Sequence, residues 1–308
     1  QDMVALRANE HKIYPKYLFA YLRSSYFKNQ VDSLNVGTTI PHLKKTFFHY
    51  LKIPRPSKAE QQIIGDLYYN LSLQIELNQK MNNTLEAIGQ ALFKRWFVDF
   101  EFPNKEGKPY KSSGGEMIYS EEMRKEIPRV WKAGTIGHEF QLTMGQSPPG
   151  DTYNDTGEGI AFYQGRTDFG FRFPTRRIFC IAPTRFAISG DTLVSVRAPV
   201  GDINMAIERC CIGRGVASIR HNSTSRSYTY YSMLSLRAIF ANFEAEGTVF
   251  GCINKDDFHK IPVVVPIDET VNNFEAMMNP IDSLIEQNEI LLGKLGNIRD
   301  KLLPKLMS

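Results

Sequence analysis

The feature that most constrains this chain is a repeat of part of its own sequence at an offset of 210 residues. Residues 45–49 are KTFFH and residues 255–259 are KDDFH, and the match extends without a gap over about sixty residues. Further matched pairs are Ile75 with Ile285, Glu76 with Glu286 and Asn78 with Asn288. We therefore predict an internal duplication. Because residue 1 aligns inside the module, we expect the first copy to be truncated.

Each copy ends in a segment with the periodicity of a long helix and no glycine-rich turn. Apolar residues recur there at steps of three and four, the a/d spacing of a coiled coil. The predicted pairing positions are Leu71, Asn78, Leu85, Leu92, Ile281, Asn288, Leu295 and Leu302. The residues expected to complete the seam lie three places after such positions and are Met81, Ile88, Leu284, Leu291 and Ile298. Two such segments predict two long helices that pair as an antiparallel coiled coil.

Two registers for this pairing stay open from the sequence. An asparagine at an a position fixes register and partner choice at some cost in stability. If each helix runs the full span, Asn78 and Asn288 lie near the midpoints and should meet. If the helices instead break near Asn70 and Pro280, the axis between them shifts further along each helix.

Between the helical segments the pattern changes to short apolar runs separated by turn signals. Thr192–Val196, Ile203–Ile207 and Val216–Ile219 have the composition of strands, and Tyr228–Phe243 has that of a helix. The predicted fold class is α+β. The predicted segments are 1–56, the remnant of a first mostly β domain; 57–100, a first long helix; 101–128, a linker; 129–266, a second mostly β domain; and 267–308, a second long helix.

The composition is that of an ordinary globular protein, with 42% apolar and 23% charged residues. The sequence has neither a run of 18 or more apolar residues nor a charged-then-apolar leader, so we predict no membrane span, no membrane partner and a cytoplasmic location. The four cysteines lack CxxC spacing, which favours free buried thiols over a zinc site or a disulfide framework. We expect no metal and no cofactor.

Arginine is distributed unevenly along the chain. Between Ala133 and Asn254 there are eleven arginines and no lysine, although lysine is frequent elsewhere. The planar guanidinium can donate two hydrogen bonds to a guanine edge or a phosphate. Ten acidic residues share the segment, so ordinary ion-paired arginines explain the bias as well as a nucleic-acid surface does.

Four motifs occur in order along most of the chain. They are ALFKRWFVDF from Ala91, Ile127–Trp131, GDTLVSVRAPVGDINMA from Gly190 and CIGRGVASIR from Cys211. In these motifs and their order the sequence resembles the DNA specificity subunits of type I restriction–modification systems. The resemblance implies two target-recognition domains, residues 1–56 (the C-terminal remnant of the first) and 129–266, separated by two long helices that pair antiparallel. Each domain of such a subunit recognises one half of a bipartite DNA site.

The resemblance also implies a non-catalytic protein and its partners. These are double-stranded DNA, methyltransferase subunits and a restriction subunit, with the subunits docking on the helical region. A rigid helical spacer would fix the distance between the two half-sites. Self-association of two copies would restore a second complete recognition domain.

Two alternatives of other classes stay open. One is a helical scaffold whose β domains bind protein. The other is a DNA methyltransferase, because Ser147-Pro148-Pro149-Gly150 loosely resembles the Asn/Asp-Pro-Pro-aromatic motif of amino-methyltransferases. Against it, serine lacks the carbonyl acceptor for a target amino group, glycine cannot stack on a flipped base, and no glycine-rich cofactor loop follows an apolar strand upstream. Gly213-Arg214-Gly215 is only half of a dinucleotide-binding fingerprint.

For DNA contact we select polar and arginine residues on the predicted loops, because glutamine can pair with adenine and arginine with guanine. They are Gln146, Ser147, Tyr163, Gln164, Arg166, Arg172, Arg176, Arg177, Arg197 and Arg214. Arg197 and Arg214 lie in stretches that match the family pattern, which favours structural or phosphate roles for them.

The first long helix ends in an aromatic segment. Trp96, Phe97 and Phe100 are candidates for docking a partner subunit, because exposed aromatic side chains are frequent interface anchors. The competing interpretation is that they cap the helices against a globular domain.

Overall fold

The computed structural model describes residues 5–34, 45–245 and 251–307. The chain divides into two compact units, residues 1–83 with 287–308 and residues 84–286. Helices and strands both contribute, so the fold is of the mixed α and β type. The predicted domain remnant 1–56 lies partly outside the described residues.

The helices combine short segments with two long ones. In chain order they are α1 Pro15–Leu22, α2 Ser25–Leu34, α3 Lys58–Phe93, α4 Ile136–Glu139, α5 Arg226–Ser235, α6 Arg237–Ala245, α7 Lys255–Lys260 and α8 Asp268–Met307. A π-helical turn, Lys94–Val98, follows α3. The 3-10 turns are Lys45–Tyr50, Gly150–Thr152 and Arg166–Asp168.

The strands among the described residues all lie in the unit of residues 84–286. They are β1 Met117–Ser120, β2 Lys125–Pro128, β3 Lys132–Thr135, β4 Phe140–Met144, β5 Tyr153–Asn154, β6 Ile160–Tyr163, β7 Phe179–Cys180, β8 Phe186–Ala187, β9 Thr192–Ser195, β10 Ile203–Met205, β11 Cys210–Ile212, β12 Val216–His221 and β13 Pro262–Val265.

Two sheets form the centre of this unit. One is antiparallel with the strand order β10-β9-β12-β4. The other has the order β5-β7-β6-β11-β8, in which β6 and β11 are parallel. Leu193, Ile212 and Val216 are buried in one apolar cluster, so strands of both sheets share a core. Helix α5 packs against the four-stranded sheet.

The predicted strands coincide with β9, β10 and β12, of which β12 extends two residues beyond the prediction, while the helix predicted over Tyr228–Phe243 is divided. Helix α5 ends at Ser235, and Leu236 leaves the helical conformation before α6 begins at Arg237. The burial pattern explains why the strands were recognisable. Every residue of β9 and β10 and the first four residues of β12 are buried, so these short segments are rich in apolar residues.

In the other unit, α1 packs on the start of α3. A Cβ added at Gly65 would lie 2.5 Å from the backbone nitrogen of Tyr17, so the two backbones approach closely. Lys16 Nζ lies 2.7 Å from Asp66 Oδ1 across the same contact. A capping box begins α3, with Ser57 N donating to Glu60 Oε2 at 2.9 Å and Glu60 N donating to Ser57 Oγ at 3.3 Å.

The long helices bury a different stripe from the one expected. The eight predicted pairing positions are all buried or half-buried. However, Met81, Ile88, Leu284, Leu291 and Ile298, which should complete the seam, are 39% to 48% exposed. The buried complement lies four places after a pairing position, as at Ile75, Asn82, Ile285 and Leu292. The position four places after a pairing residue is apolar at Ile75, Ile285 and Leu292, but in α3 it is also occupied by Asn82 and Gly89, so apolar spacing favours the position that is exposed.

Within residues 84–286 the two long helices run in opposite directions. The Phe93 and Phe274 rings lie 5.8 Å apart between centroids. One turn earlier in α3, a Cβ added at Gly89 would lie 2.8 Å from Met278 Cε, one turn later in α8. Helices α3 and α8 are therefore antiparallel within this unit.

In the other unit the cross-helix asparagine bond is displaced by one turn from the predicted Asn78–Asn288 pair. Asn288 Nδ2 donates to Asn82 Oδ1 at 2.9 Å, and Asn82 Nδ2 donates to Glu289 Oε1 at 3.1 Å. Asn78 Nδ2 instead donates to the carbonyl of Gln74 in its own helix at 2.8 Å.

The alternative register, with helices broken near Asn70 and Pro280, is wrong because α3 and α8 continue through both residues.

Candidate nucleic-acid interface

Three loops of the sheet domain meet on one surface. They follow β4 at residues 145–147, follow β6 at residues 164–165, and join β11 to β12 at residues 213–215. Gly213 N donates to Tyr163 O at 2.8 Å, and Gln146 N donates to Ile212 O at 3.0 Å. Arg214 N donates to Ser147 Oγ at 3.3 Å. The sheet hydrogen bonding thus continues into the loops and holds them against one another.

The glycines of these loops are required by close backbone packing. A Cβ added at Gly145 would lie 2.2 Å from Gly213 O, and one added at Gly215 would lie 2.3 Å from Gln164 O. Backbone oxygens cannot move aside as a flexible side chain can. The Gly213-Arg214-Gly215 pattern is therefore explained by loop packing and needs no nucleotide.

This arrangement places several predicted DNA-contacting residues together. Gln146, Ser147, Gln164 and Arg214 are exposed on the three loops. Arg197 is also exposed and belongs to the same region, because the amide of its neighbour Val196 donates to Gly215 O at 3.0 Å. We call these five residues the loop surface. Within the described part of the chain, the guanidinium groups of Arg197 and Arg214 form no ion pair.

Three further predicted arginines are exposed but paired with carboxylates. Arg166 Nε lies 2.5 Å from Asp202 Oδ2. Arg176 places Nε and Nη2 at 2.5 Å and 2.8 Å from the two carboxylate oxygens of Glu208. Arg177 donates from Nε and Nη2 to Asp168 Oδ1, at 3.2 Å and 2.5 Å. Their side chains retain 60%, 56% and 52% exposure respectively, so each remains accessible to a ligand.

Asp168 is a residue that the sequence reasoning missed. It is 3% exposed, and its Oδ2 accepts a 2.7 Å hydrogen bond from Gln164 N while Oδ1 binds Arg177. Its backbone carbonyl accepts from Thr175 N at 2.7 Å. Asp168 thus fixes the backbone of the Gln164 loop. An aspartate that follows Gly165-Arg166-Thr167 in a turn-like segment was the available signal.

Tyr163 was predicted to contact DNA, and the structure corrects this. It is 1% exposed within the core shared by the two sheets, and this burial raises the pKa of its phenol. The next residue, Gln164, follows the end of β6 and is exposed.

Arg172 was also predicted to contact DNA, but it is 1% exposed. Nη1 binds Asp282 Oδ1 of α8 at 2.9 Å, and Nη2 binds Glu86 of α3 and the Tyr231 hydroxyl. The guanidinium carbon lies 3.9 Å from the Tyr230 ring centroid. Arg172 joins the sheet domain to both long helices within residues 84–286. It is a structural residue.

The aromatic segment after α3 is buried as well, which corrects its assignment to partner docking. Trp96, Phe97 and Phe100 are 4%, 7% and 3% exposed. Phe97 packs among other aromatic rings in tilted arrangements, with its centroid 4.8 Å from Phe93 and 5.0 Å from Tyr228. The segment caps the long helices against the sheet domain, as the competing interpretation held.

No group of three or more histidine, cysteine, aspartate or glutamate side chains suited to a metal ion occurs among the described residues. None of the helices in the described ranges is long and apolar enough to cross a membrane. Cys180, Cys210 and Cys211 are buried free thiols, whereas Cys252, expected to be buried, is exposed.

Comparison with known proteins defines the class of protein to which this chain belongs. Residues 1–87 match the family model described as the type I restriction modification DNA specificity domain. A chain named as the type I restriction enzyme MjaX specificity subunit of Methanocaldococcus jannaschii is 32% identical over 312 residues, covering 100% of this chain and 70% of that protein. The MjaIX specificity subunit of the same organism is 24% identical, covering 95% of this chain and 68% of that protein.

This chain therefore belongs to the family of type I restriction enzyme specificity subunits. A solved structure supports the fold. The type I restriction-modification S subunit from M. genitalium superposes with a TM-score of 0.59 at 16% identity, over 96% of this chain and 73% of that one.

Proposed function

We propose that this chain recognises one half of a bipartite double-stranded DNA site as the specificity subunit of a type I restriction–modification complex. It has no catalytic role of its own, and it directs methyltransferase and restriction subunits to that site in the cytoplasm. The observation that carries the proposal is the loop surface. Exposed glutamine and arginine side chains from separate loops converge there on a backbone held by sheet-like hydrogen bonds.

The chemistry of the loop surface suits DNA better than protein. Two glutamines can each form a two-pronged pair with an adenine edge. Arg197 and Arg214 form no ion pair with the residues that the structure describes, so their charge is available for phosphates, and phosphate contacts supply much of the affinity of DNA-binding proteins. A protein-binding surface would be expected to expose large apolar anchors, whereas these five residues are all polar or charged.

The architecture that we propose around this surface is a duplicated one. Residues 129–266 form a complete target-recognition domain, residues 1–56 are the remnant of another, and residues 57–100 and 267–308 are long helices joined through the linker 101–128. Pairing of those helices as an antiparallel coiled coil is supported by the opposed directions of α3 and α8 within residues 84–286 and by the Asn82–Asn288 bond in the other unit.

Partner subunits are proposed to dock on the long helices. The proposal is supported by exposed apolar side chains at Met81, Ile88, Leu291 and Ile298. A helix face that contacts only solvent would be expected to carry polar side chains at such positions. Association of two copies of this chain would supply a second recognition domain.

The salt dependence of DNA binding tests the proposal. The full chain, with methyltransferase subunits added, should bind duplex DNA with an affinity that falls steeply as salt rises. Changing both Arg197→Ala and Arg214→Ala should make the slope of log K against log salt shallower by about 2, since each lost phosphate contact contributes about 0.9. Fluorescence anisotropy over a salt series measures this slope.

Arg95→Ala is the matched control, because Arg95 is exposed on the π-helical turn rather than on the sheet-domain loops. It should leave the slope unchanged. A double variant that keeps the wild-type slope, or a chain that does not bind duplex DNA at all, would overturn the proposed function.

A further inference from the structure

The three carboxylate-paired arginines differ in how much of the guanidinium is still free. Arg176 and Arg177 each engage Nε together with the terminal nitrogen Nη2. Arg166 engages Nε alone, with Asp202. Among the residues that the structure describes, both terminal nitrogens of Arg166 have no hydrogen-bond partner. Arg166 therefore keeps the complete Nη1/Nη2 fork that a two-pronged contact uses.

The backbone that carries Arg166 is fixed before any ligand arrives. Arg166 begins a 3-10 turn in which Asp168 N donates to Gly165 O at 3.1 Å and Phe169 N donates to Arg166 O at 2.9 Å. The buried Asp168 carboxylate also accepts from Gln164 N, two residues before Arg166. Arg166 is thus connected through a short, rigid segment to Gln164 of the loop surface.

Asp202 is equally well fixed. Its amide donates to Ser195 Oγ at 2.9 Å, and its carbonyl accepts from Ser195 N at 2.9 Å, so the residue is attached to the end of β9. A carboxylate in this position restrains a long side chain that otherwise has many rotamers. It also neutralises the guanidinium, which weakens attraction to phosphate and leaves the directional hydrogen bonds as its main contribution.

These observations separate the exposed arginines by chemistry. Within the described residues, Arg197 and Arg214 form no ion pair and suit phosphates. The charge of Arg166 is paired with Asp202, whereas its two terminal nitrogens have no hydrogen-bond partner among the described residues. Those two nitrogens match the N7 and O6 acceptors of guanine in the major groove. We infer that Arg166 is the residue that recognises a guanine of the target half-site, and that Asp202 is its positioning residue. This inference rests on the proposed DNA-recognition function.

Selection of duplexes from a randomised pool, by the full chain with methyltransferase subunits added, tests the inference. The wild-type chain should enrich a motif that contains at least one guanine. Arg166→Ala should lose the preference for G·C at one position of that motif by about tenfold to a hundredfold. Arg166→Lys should lose it too, because an ammonium group keeps the charge but cannot form the planar two-pronged contact.

Asp202 is tested at the same position of the motif. Asp202→Ala should weaken the guanine preference, and Asp202→Asn, which retains an acceptor for Nε, should restore part of it. In an Arg166→Ala background, Asp202→Ala should have no additional effect on base preference. If Asp202 only supported the fold, the second substitution would be expected to have an effect of its own. Arg176→Ala removes an exposed guanidinium of the same kind and should leave this position unchanged.

The outcomes separate the inference from the proposed function. If the wild-type chain enriches a motif that Arg166→Ala reproduces at every position, the inference about Arg166 is wrong while DNA recognition stands. The same holds if Arg176→Ala erases the guanine instead. If the wild-type chain enriches no motif, the proposed function and the inference both fail.

Discussion

Arg172→Ala is expected to lower the free energy of unfolding of the unit that holds the sheet domain by about 3–5 kcal/mol. The guanidinium is buried between Asp282 and Glu86, whose side chains are 2% and 13% exposed. Removing it leaves two carboxylates in a poorly solvated site without their counter-charge. The Tyr231 hydroxyl, which accepts from Nη2 at 2.9 Å, loses a donor as well. Denaturant unfolding followed by circular dichroism measures the change.

Arg176→Ala is the matched control for this prediction. Arg176 also forms a two-pronged pair, with Glu208, but the two side chains are 56% and 35% exposed. An exposed ion pair contributes only about 0–1 kcal/mol. If Arg172→Ala costs no more than Arg176→Ala, Arg172 does not join the sheet domain to the helices as described.

Phe97→Ala is expected to cost about 3–5 kcal/mol of stability, because it creates a cavity within a cluster of aromatic rings. The Phe97 ring lies 5.2 Å from Phe274 and 5.7 Å from Trp131, between ring centroids. In the wild-type chain this ring therefore packs between α8 and the start of the sheet domain. The same denaturant titration reports the loss.

Val98→Ala provides the comparison, because Val98 follows directly in the chain and is 43% exposed. A change at such a surface position should stay within about 0.5 kcal/mol. Equal stabilities for the two variants, together with loss of methyltransferase binding in Phe97→Ala alone, would instead restore partner docking as the role of the aromatic segment.

Both predictions concern residues whose environment the sequence did not show. Arg172, Arg176 and Arg177 lie within six residues and look alike as a pattern of exposed, possible DNA contacts. Only Arg172 is buried, because its partners Glu86 and Asp282 are 86 and 110 residues away in sequence. Local pattern carries no information about such distant contacts, so the burial of one arginine among three could not be predicted.

The helix seam shows a second limit of sequence reasoning. Periodicity predicted that residues such as Leu85 and Leu295 face the partner helix, and both are half-buried. Which position completes the buried face depends on where the neighbouring helix lies, and here the large apolar residue stands at the exposed position. Periodicity therefore could not distinguish exposed Ile88 from its buried counterpart Gly89.

The loop surface was the part of the site most accessible to sequence reasoning. Turn signals located the loops, and residue chemistry selected Gln146, Gln164 and Arg214, which the structure brings together. The buried Asp168 that holds the Gln164 loop was missed, because a carboxylate beside arginines resembles an ordinary surface pair. Its role depends on its burial and on the amide to which it bonds.

The most direct test of the account asks whether the loop surface touches DNA. A photoreactive phenylalanine analogue placed at Gln164 in the full chain, with methyltransferase subunits present, should cross-link to the duplex that the chain itself selects. The same analogue at Gln90, exposed on α3, should not. Cross-linking from position 90 with none from position 164 would show that DNA lies against the helices, and the assignment of recognition to the loop surface would be wrong.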